Sequence, residues 1–358
     1  MKILILTNNS GGLYGFRHEL LHELSRTADV YAATPFDDKV NELKSLGIEL
    51  IETPLNRRSM NPIEDLKLFC TYRRLLRKIR PDLVITYTIK PNVYGGFACR
   101  LGKIPYAANI TGLGTSFQKD GLLKKLVTQM YKTGLKRAKV VFFENAENRR
   151  IFMNSKIVAE GKTCLLNGAG VNLEHFQPME YPGGEVTCFL FIGRVMREKG
   201  IDELLEAMKK LAAAGSSVHL DILGGYEEDY AAAMERYAAE GWLTFHGYQS
   251  DVRPFIAASH CFVLPSWHEG MANTNLECAA SGRPVITSNI HGCLEAVEDG
   301  ITGFLCEKQN VDDLYRTMKA FAELPWEQRK AMGLAGRKRM EALFDKKKVV
   351  EETVSKLF

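Results

Sequence analysis

Short apolar runs alternate with helical patterns along the whole chain, and this alternation restricts the fold more than any other feature. In the first half the runs fall at residues 3–6, 30–33, 83–86, 106–109 and 140–143, with helices predicted at 15–26 and 38–46 and after each later run. In the second half they fall at 189–192, 218–223, 243–245, 262–264 and 285–287. A strand covered on both faces reads as a continuous apolar run, and parallel neighbours need a helical crossover between them. The expected class is therefore α/β, with parallel sheets covered by helices on both sides. A chain of 358 residues exceeds the usual single domain, so two are expected. The turn-forming stretch at 178–184, Pro-Met-Glu-Tyr-Pro-Gly-Gly, breaks the pattern and sets the boundary, giving domains at 1–178 and 184–344.

The segment Glu269-Gly-Met-Ala-Asn-Thr-Asn-Leu-Glu277 holds two carboxylates around a small-residue loop that opens a helix. It follows the apolar run 261–264, so Glu269 stands at the carboxyl end of a strand, where open α/β sheets bind ligands. Backbone N–H groups from Gly270 to Asn275 would face the charge of a phosphate or diphosphate. Glu277 would accept from ribose hydroxyls while Glu269 faces a sugar. Either glutamate alone would be an ordinary acid near a helix start.

A second cluster strengthens this reading. The run 187–192 ends in Gly193-Arg-Val-Met-Arg-Glu-Lys-Gly200, and a helical pattern follows. Arg194 offers a planar fork and Lys199 a mobile point charge, together suited to a leaving diphosphate. Surface ion pairing would explain either cation singly. The four side chains at 194, 199, 269 and 277 are expected to converge on one pyrophosphoryl sugar.

These motifs, with the Leu223-Gly-Gly225 turn and the Ser10-Gly-Gly12 loop in the same order, resemble the retaining glycosyltransferases of family 4. Asn56-Arg-Arg-Ser-Met-Asn-Pro62, Lys90-Pro-Asn-Val-Tyr-Gly95 and Thr111-Gly-Leu-Gly114 resemble the branch that extends polyprenyl-diphosphate-linked oligosaccharides. The resemblance implies a GT-B fold, two Rossmann-like domains facing a cleft, with the first binding the acceptor and the second a UDP-sugar. It also implies that a helix at 345–358 returns to the first domain. By resemblance Glu269, Arg194 and Lys199 would be the catalytic set. Donor contacts would come from Gly193, Gly224, His246, Tyr248, Gly270, Met271, Asn273, Thr274, Asn275, Leu276 and Glu277. A histidine capping its strand explains His246 as well. Gly11 and Gly12 would let the first loop approach the diphosphate, although a tight turn alone would explain them. Arg57, Arg58 and Lys90 suit the phosphates of a lipid-linked acceptor. Many family members carry a histidine at the end of the strand that here reads Ala107-Ala-Asn-Ile-Thr-Gly112, so Thr111 or Lys90 would take over its sugar contact.

Composition narrows the alternatives. No Asp-x-Asp motif is present and the eight histidines lack ligand spacing, so no metal and no cofactor beyond the donor sugar are expected. The eight cysteines are scattered without a C-x-x-C pair, as in a reducing compartment. Residues 1–6 stop short of a signal peptide and no run reaches ~20 apolar residues. The expected location is cytoplasmic and peripheral on the inner face of the membrane. The net charge of +4 is uneven, with Lys and Arg in excess in the first half, chiefly at 57–80 and 119–139. These basic amphipathic helices suit an anionic membrane surface; packing on the sheet with a solvated basic face is the plainer reading. Nucleic acid is disfavoured by the lack of a binding motif, and an NAD enzyme by the lack of a dinucleotide fingerprint. Remaining rivals are a nucleotide-sugar 2-epimerase, a transferase with a soluble acceptor, and a non-catalytic nucleotide-sugar sensor.

Overall fold

Among the described residues every paired strand is parallel, and the strands divide between two sheets. The computed structural model describes residues 1–56, 61–113, 117 and 121–358. The chain forms two compact units: 1–169 with 347–358, and 170–346. The change of unit precedes the turn-rich stretch at 178–184 that the sequence suggested. Arg283 is the physical reason. Its guanidinium donates to the carbonyls of Met179 (3.2 Å) and Glu180 (2.7 Å), and Trp326 Nε1 donates to the Pro182 carbonyl at 2.8 Å. Those bonds bind the stretch into the second unit.

The first unit contains β1 (Lys2–Leu6), α1 (Ser10–Ser25), β2 (Asp29–Thr34), α2 (Val40–Ser45), β3 (Glu49–Glu52), α3 (Pro62–Ile79) and β4 (Leu83–Tyr87). A π-helical turn at Pro91–Gly95 leads into α4 (Gly96–Gly102), then β5 (Tyr106–Ile110), α5 (Leu122–Leu135), β6 (Val140–Phe143), α6 (Ala146–Asn154) and β7 (Thr163–Leu165). The sheet order is β3-β2-β1-β4-β5-β6-β7. Alternate residues of β1 face opposite sides: Leu4 and Leu6 join one core with Tyr72, Tyr106 and Phe143, and Ile3 and Ile5 join the other with Leu21 and Phe142. Two covered faces explain why the strand reads as an unbroken apolar run.

In the second unit, β8 (Thr187–Ile192), α7 (Ile201–Ala213), β9 (Val218–Leu223), α8 (Ala231–Ala239), β10 (Leu243–Gly247), α9 (Arg253–Ala258) and β11 (Cys261–Leu264) come first. They are followed by α10 (Asn273–Ala280), β12 (Val285–Ser288), β13 (Gly303–Cys306), α11 (Val311–Glu323), α12 (Trp326–Leu343) and α13 (Lys346–Leu357). The order β10-β9-β8-β11-β12-β13 reverses between β8 and β11, which makes that junction the topological switch point. In the first unit the same reversal falls between β1 and β4. Most of α13 belongs to the first unit, where Val349 and Leu357 join the core that holds Ile3 and Ile5. Lys139 Nζ donates to the Leu357 carbonyl at 2.8 Å, supplying the end cap that the local sequence lacks.

Candidate functional site

The loops that leave β8 and β11 flank the switch point of the second unit. After β8 the chain must turn sharply while keeping its backbone bonded to the neighbouring loop, and Gly193 N–H and Val195 N–H donate to Leu223 O and Gly225 O, each at 2.9 Å. Gly224 makes this possible. Its φ is +138°, and a Cβ there would lie 1.8 Å from the Gly193 carbonyl oxygen. A 3₁₀ turn at Arg197–Lys199 then leads to Gly200, at φ +74°, where a Cβ would come within 2.1 Å of the Pro265 carbonyl.

Across this contact the two loops are fastened by polar bonds. Trp267 N–H donates to Glu198 O at 3.0 Å, and Trp267 Nε1 donates to Glu203 Oε1 at 3.0 Å. Burial pushes the Glu203 carboxyl above its ordinary range. The effect is to bring Lys199 against Glu269. Lys199 Nζ and Ser266 Oγ (2.8 Å) both donate to Glu269 Oε1, and the pair is largely covered, with 19% and 12% of the two side chains exposed. Glu269 Oε2 has no protein hydrogen bond among the described residues. One oxygen of the carboxylate is thus fixed by two donors from the protein.

The other two expected members engage different partners. Arg194 is half exposed and pairs with Glu227 at 3.5 Å. Glu277 lies on α10 with its carboxyl pushed up to about 7 by desolvation, which the nearby Lys346 charge only partly offsets. Of the four side chains expected to converge, the structure brings Lys199 and Glu269 into contact, whereas Arg194 pairs with Glu227, and Glu277 has no hydrogen bond or ion pair with the other three.

The donor contacts expected around α10 need correction. Leu276 and Asn275 are fully buried and Met271 is nearly so, so the leucine and methionine side chains belong to the core. Asn275 donates from Nδ2 to Thr287 Oγ1 at 3.1 Å, and its backbone N–H is spent on Ala272 O at 3.0 Å. Asn273 and Thr274 occupy the first positions of α10, which has no side-chain cap, and both are partly exposed beside Gly270. His246 is bound through Nε2 to Asp221 Oδ1 of β9 at 2.7 Å, so this ring nitrogen is engaged by the neighbouring strand. Burial would raise the Asp221 carboxyl, but hydrogen bonds from His219 and His246 outweigh it and hold it low. Tyr248 projects from the end of β10 and is 70% exposed.

In the first unit the Ser10-Gly-Gly12 segment is not a loop. It forms the first turn of α1, which begins five residues earlier than the sequence indicated. Asn9 caps it by accepting from Gly12 N, and Asp37 Oδ1 accepts from Ser10 N (2.8 Å) and Gly11 N (3.4 Å). A carboxylate thus already covers this helix start. Lys90 is engaged as well, with Nζ 2.8 Å from Asp65 Oδ1, while Tyr94 donates to Asp65 Oδ2 at 2.7 Å. Lys90 and Asp65 nonetheless line a cavity of about 370 Å³ with Thr53, Asn56 and Thr71. Thr111 follows β5 and is partly exposed. Arg57 and Arg58 lie outside the described residues.

Sequence reasoning missed Ser266, Trp267, Glu203 and Glu227. Ser266 stands three residues before Glu269 and was legible in principle; the others depend on packing between loops. Among the described residues no three His, Cys, Asp or Glu side chains cluster to hold a metal ion, and no helix is long and apolar enough to cross a membrane.

Comparison with known proteins defines the class. Residues 2–145 match the family described as glycosyl transferase 4-like, and residues 180–339 match glycosyl transferases group 1. The fold is that of Anabaena HepE, crystallised with UDP and glucose, at a TM-score of 0.81 and 18% identity over 100% of this chain and 99% of that one. Among sequence relatives, the N,N'-diacetylbacillosaminyl-diphospho-undecaprenol alpha-1,3-N-acetylgalactosaminyltransferase of Campylobacter jejuni is 27% identical, covering 100% of this chain and 98% of that protein. The UDP-Gal:alpha-D-GlcNAc-diphosphoundecaprenol alpha-1,3-galactosyltransferase of Escherichia coli is 26% identical over 73% of this chain and 71% of that protein. Two doubly wound units of this kind make the fold GT-B. The chain belongs to the glycosyltransferases, with a 4-like amino-terminal half and a group 1 carboxyl-terminal half.

Proposed function

We propose that the protein is a retaining, metal-independent transferase that moves a hexose or N-acetylhexosamine from a UDP-sugar to a polyprenyl-diphosphate-linked saccharide. The product would enter a surface glycan or a glycoprotein glycan. The observation that carries this reading is the Glu269 carboxylate at the switch point, with Oε1 bonded by Lys199 and Ser266 and Oε2 without a hydrogen bond among the described residues. Oε2 would accept a hydroxyl of the donor sugar, and Lys199 would turn from Glu269 toward the diphosphate as negative charge grows on it. Arg194, half exposed and paired with Glu227, would supply a second cation by leaving that partner. The N–H groups of Asn273 and Thr274 face the same anion. Together these cations and N–H groups would take over the electrostatic work that a divalent ion performs in other transferases.

Glu277 would bind the ribose, and His246 with Tyr248 would approach the base. The relatives named above act on undecaprenol-diphosphate sugars, and this supports a lipid-linked acceptor held in the first unit by Lys90, Thr111, Arg57 and Arg58. Such an acceptor places the enzyme at the cytoplasmic face of the membrane, with the basic helices of the first unit toward anionic lipid. A donor panel of UDP-, GDP- and ADP-sugars, assayed in EDTA with a short-chain polyprenyl diphosphate saccharide, tests the reading. Transfer from a UDP-sugar with the anomeric configuration kept is expected; absence of transfer, a dependence on added metal, or an inverted product would refute it.

A further inference from the structure

His246 stands at an irregularity in the second sheet. Thr244 pairs with Asp221, Phe245 with Ile222 and Gly247 with Leu223, so two steps of β10 span one step of β9 and His246 has no partner in that register. A bulge of this kind re-aims one side chain and is common beside binding sites. Gly247 then takes φ +65°, and its carbonyl accepts from Gly224 N–H at 2.8 Å, which ties the bulge to the glycine turn after β9. The bulge therefore lies at the carboxyl ends of β9 and β10, the side of an open α/β sheet that holds ligands.

The imidazole is held from two sides. Its Nε2 lies 2.7 Å from Asp221 Oδ1, and its ring packs on Phe255 of α9 with centroids 4.7 Å apart. His219 Nε2 stands 3.7 Å from the same Asp221 oxygen and 3.0 Å from Thr244 Oγ1. Despite burial, hydrogen bonds from His219 and His246 hold the Asp221 carboxyl low, so it accepts and does not donate. The proton between Asp221 and His246 therefore belongs to Nε2. In a neutral imidazole one nitrogen donates and the other accepts. Nδ1 is left with a lone pair, and it has no hydrogen bond among the described residues. Many side chains could pack against Phe255; the carboxylate adds the choice of tautomer. A ring nitrogen that only accepts sorts bases by the protons on their edges. Uracil carries a proton at N3, whereas cytosine, of the same size and ring shape, presents a lone pair there. Nδ1 attracts the first and repels the second.

We propose that Asp221 fixes His246 in the Nε2–H tautomer, so that Nδ1 accepts from uracil N3–H and selects uridine over cytidine nucleotides. His246 touches the base, and Asp221 is a positioning residue that acts through it. This rests on the donor reading above, in which His246 approaches the base, and supplies the reason for the choice of base.

Two measurements on the full-length protein test it. Ring-nitrogen NMR of the ligand-free protein, at about pH 8 and so above the ordinary imidazole range, should show His246 with a proton on Nε2 and none on Nδ1. The D221N amide offers both a donor and an acceptor, so that variant should populate both tautomers. By calorimetry the wild type should prefer UDP to CDP by roughly 30-fold, the effect of one mismatched hydrogen bond in a half-covered site. H246Q can turn either its carbonyl or its amide NH2 group to the base, so it should bind the two nucleotides equally to within about threefold. Its continued binding shows that it folds. D221N should fall between. A proton on Nδ1 in the wild type, or an unchanged UDP preference in H246Q, would overturn the proposal. Equal binding of UDP and CDP by the wild type would overturn it while leaving the donor reading in place; binding of neither would remove both.

Discussion

Removing Lys199 tests the arrangement around Glu269 in both stability and turnover. With 19% and 12% of their side chains exposed, Lys199 and Glu269 form a largely desolvated pair. Taking one partner from a fully buried pair costs about 3–5 kcal/mol. Here Ser266 still donates to the carboxylate and some solvent reaches it, so K199A should destabilise the second unit by about 2 kcal/mol. The double variant K199A/E269Q leaves no stranded charge and should recover about 1 kcal/mol of that loss, a coupling that a cycle resolves. All three tryptophans, Trp242, Trp267 and Trp326, lie in the second unit. Urea unfolding followed by tryptophan fluorescence therefore reports on this unit alone. On turnover, loss of one fixed cation facing the leaving diphosphate should cost about 3 kcal/mol, or roughly 100-fold in kcat. Unchanged unfolding in K199A, zero coupling and near-normal kcat would refute the reasoning.

Further outcomes follow from neighbouring residues. Because desolvation raises the Glu277 carboxyl to about 7 from 4.5, the folded state holds its proton more tightly than the unfolded chain, and stability is lost as pH rises from about 4.5 to about 7. E277Q should therefore gain on the wild type by about 2–3 kcal/mol at pH 8 and show little difference below pH 4.5, measured by the same fluorescence assay. UDP affinity of the wild type should rise through pH 7 as the carboxylate forms, with a flat profile in E277Q by calorimetry. In G224A, a Cβ 1.8 Å from the Gly193 carbonyl at φ +138° should destabilise the second unit by about 3 kcal/mol, visible as a lower urea midpoint. W267F removes the donor to Glu203, whose Oε2 already lacks a partner. It should cost about 1–2 kcal/mol in unfolding and slow transfer by loosening Lys199 against Glu269.

The sheet centres were legible because both faces are covered. The strand at Val140–Phe143 was read to the residue, and so was Val218–Leu223. The strands that escaped, β3, β7 and β13, are short sheet edges whose partly exposed residues break the apolar run. The start of α1 was misplaced because Gly11 and Gly12 look like a loop, while one of its caps, Asp37, arrives from another segment. The glutamate pair and the Gly193–Lys199 turn were visible because each is local. Whether Arg194 meets Glu227, Lys90 meets Asp65 or Trp267 ties two loops together depends on distant chain segments, which spacing does not encode.

The central claim, that the switch point between β8 and β11 holds a nucleotide diphosphate through Lys199, is tested most directly by the ratio of UDP to uridine affinity in wild type and K199A. The wild type should prefer UDP strongly, and K199A should lose about tenfold or more of that preference while binding uridine normally. An unchanged ratio would place the diphosphate elsewhere.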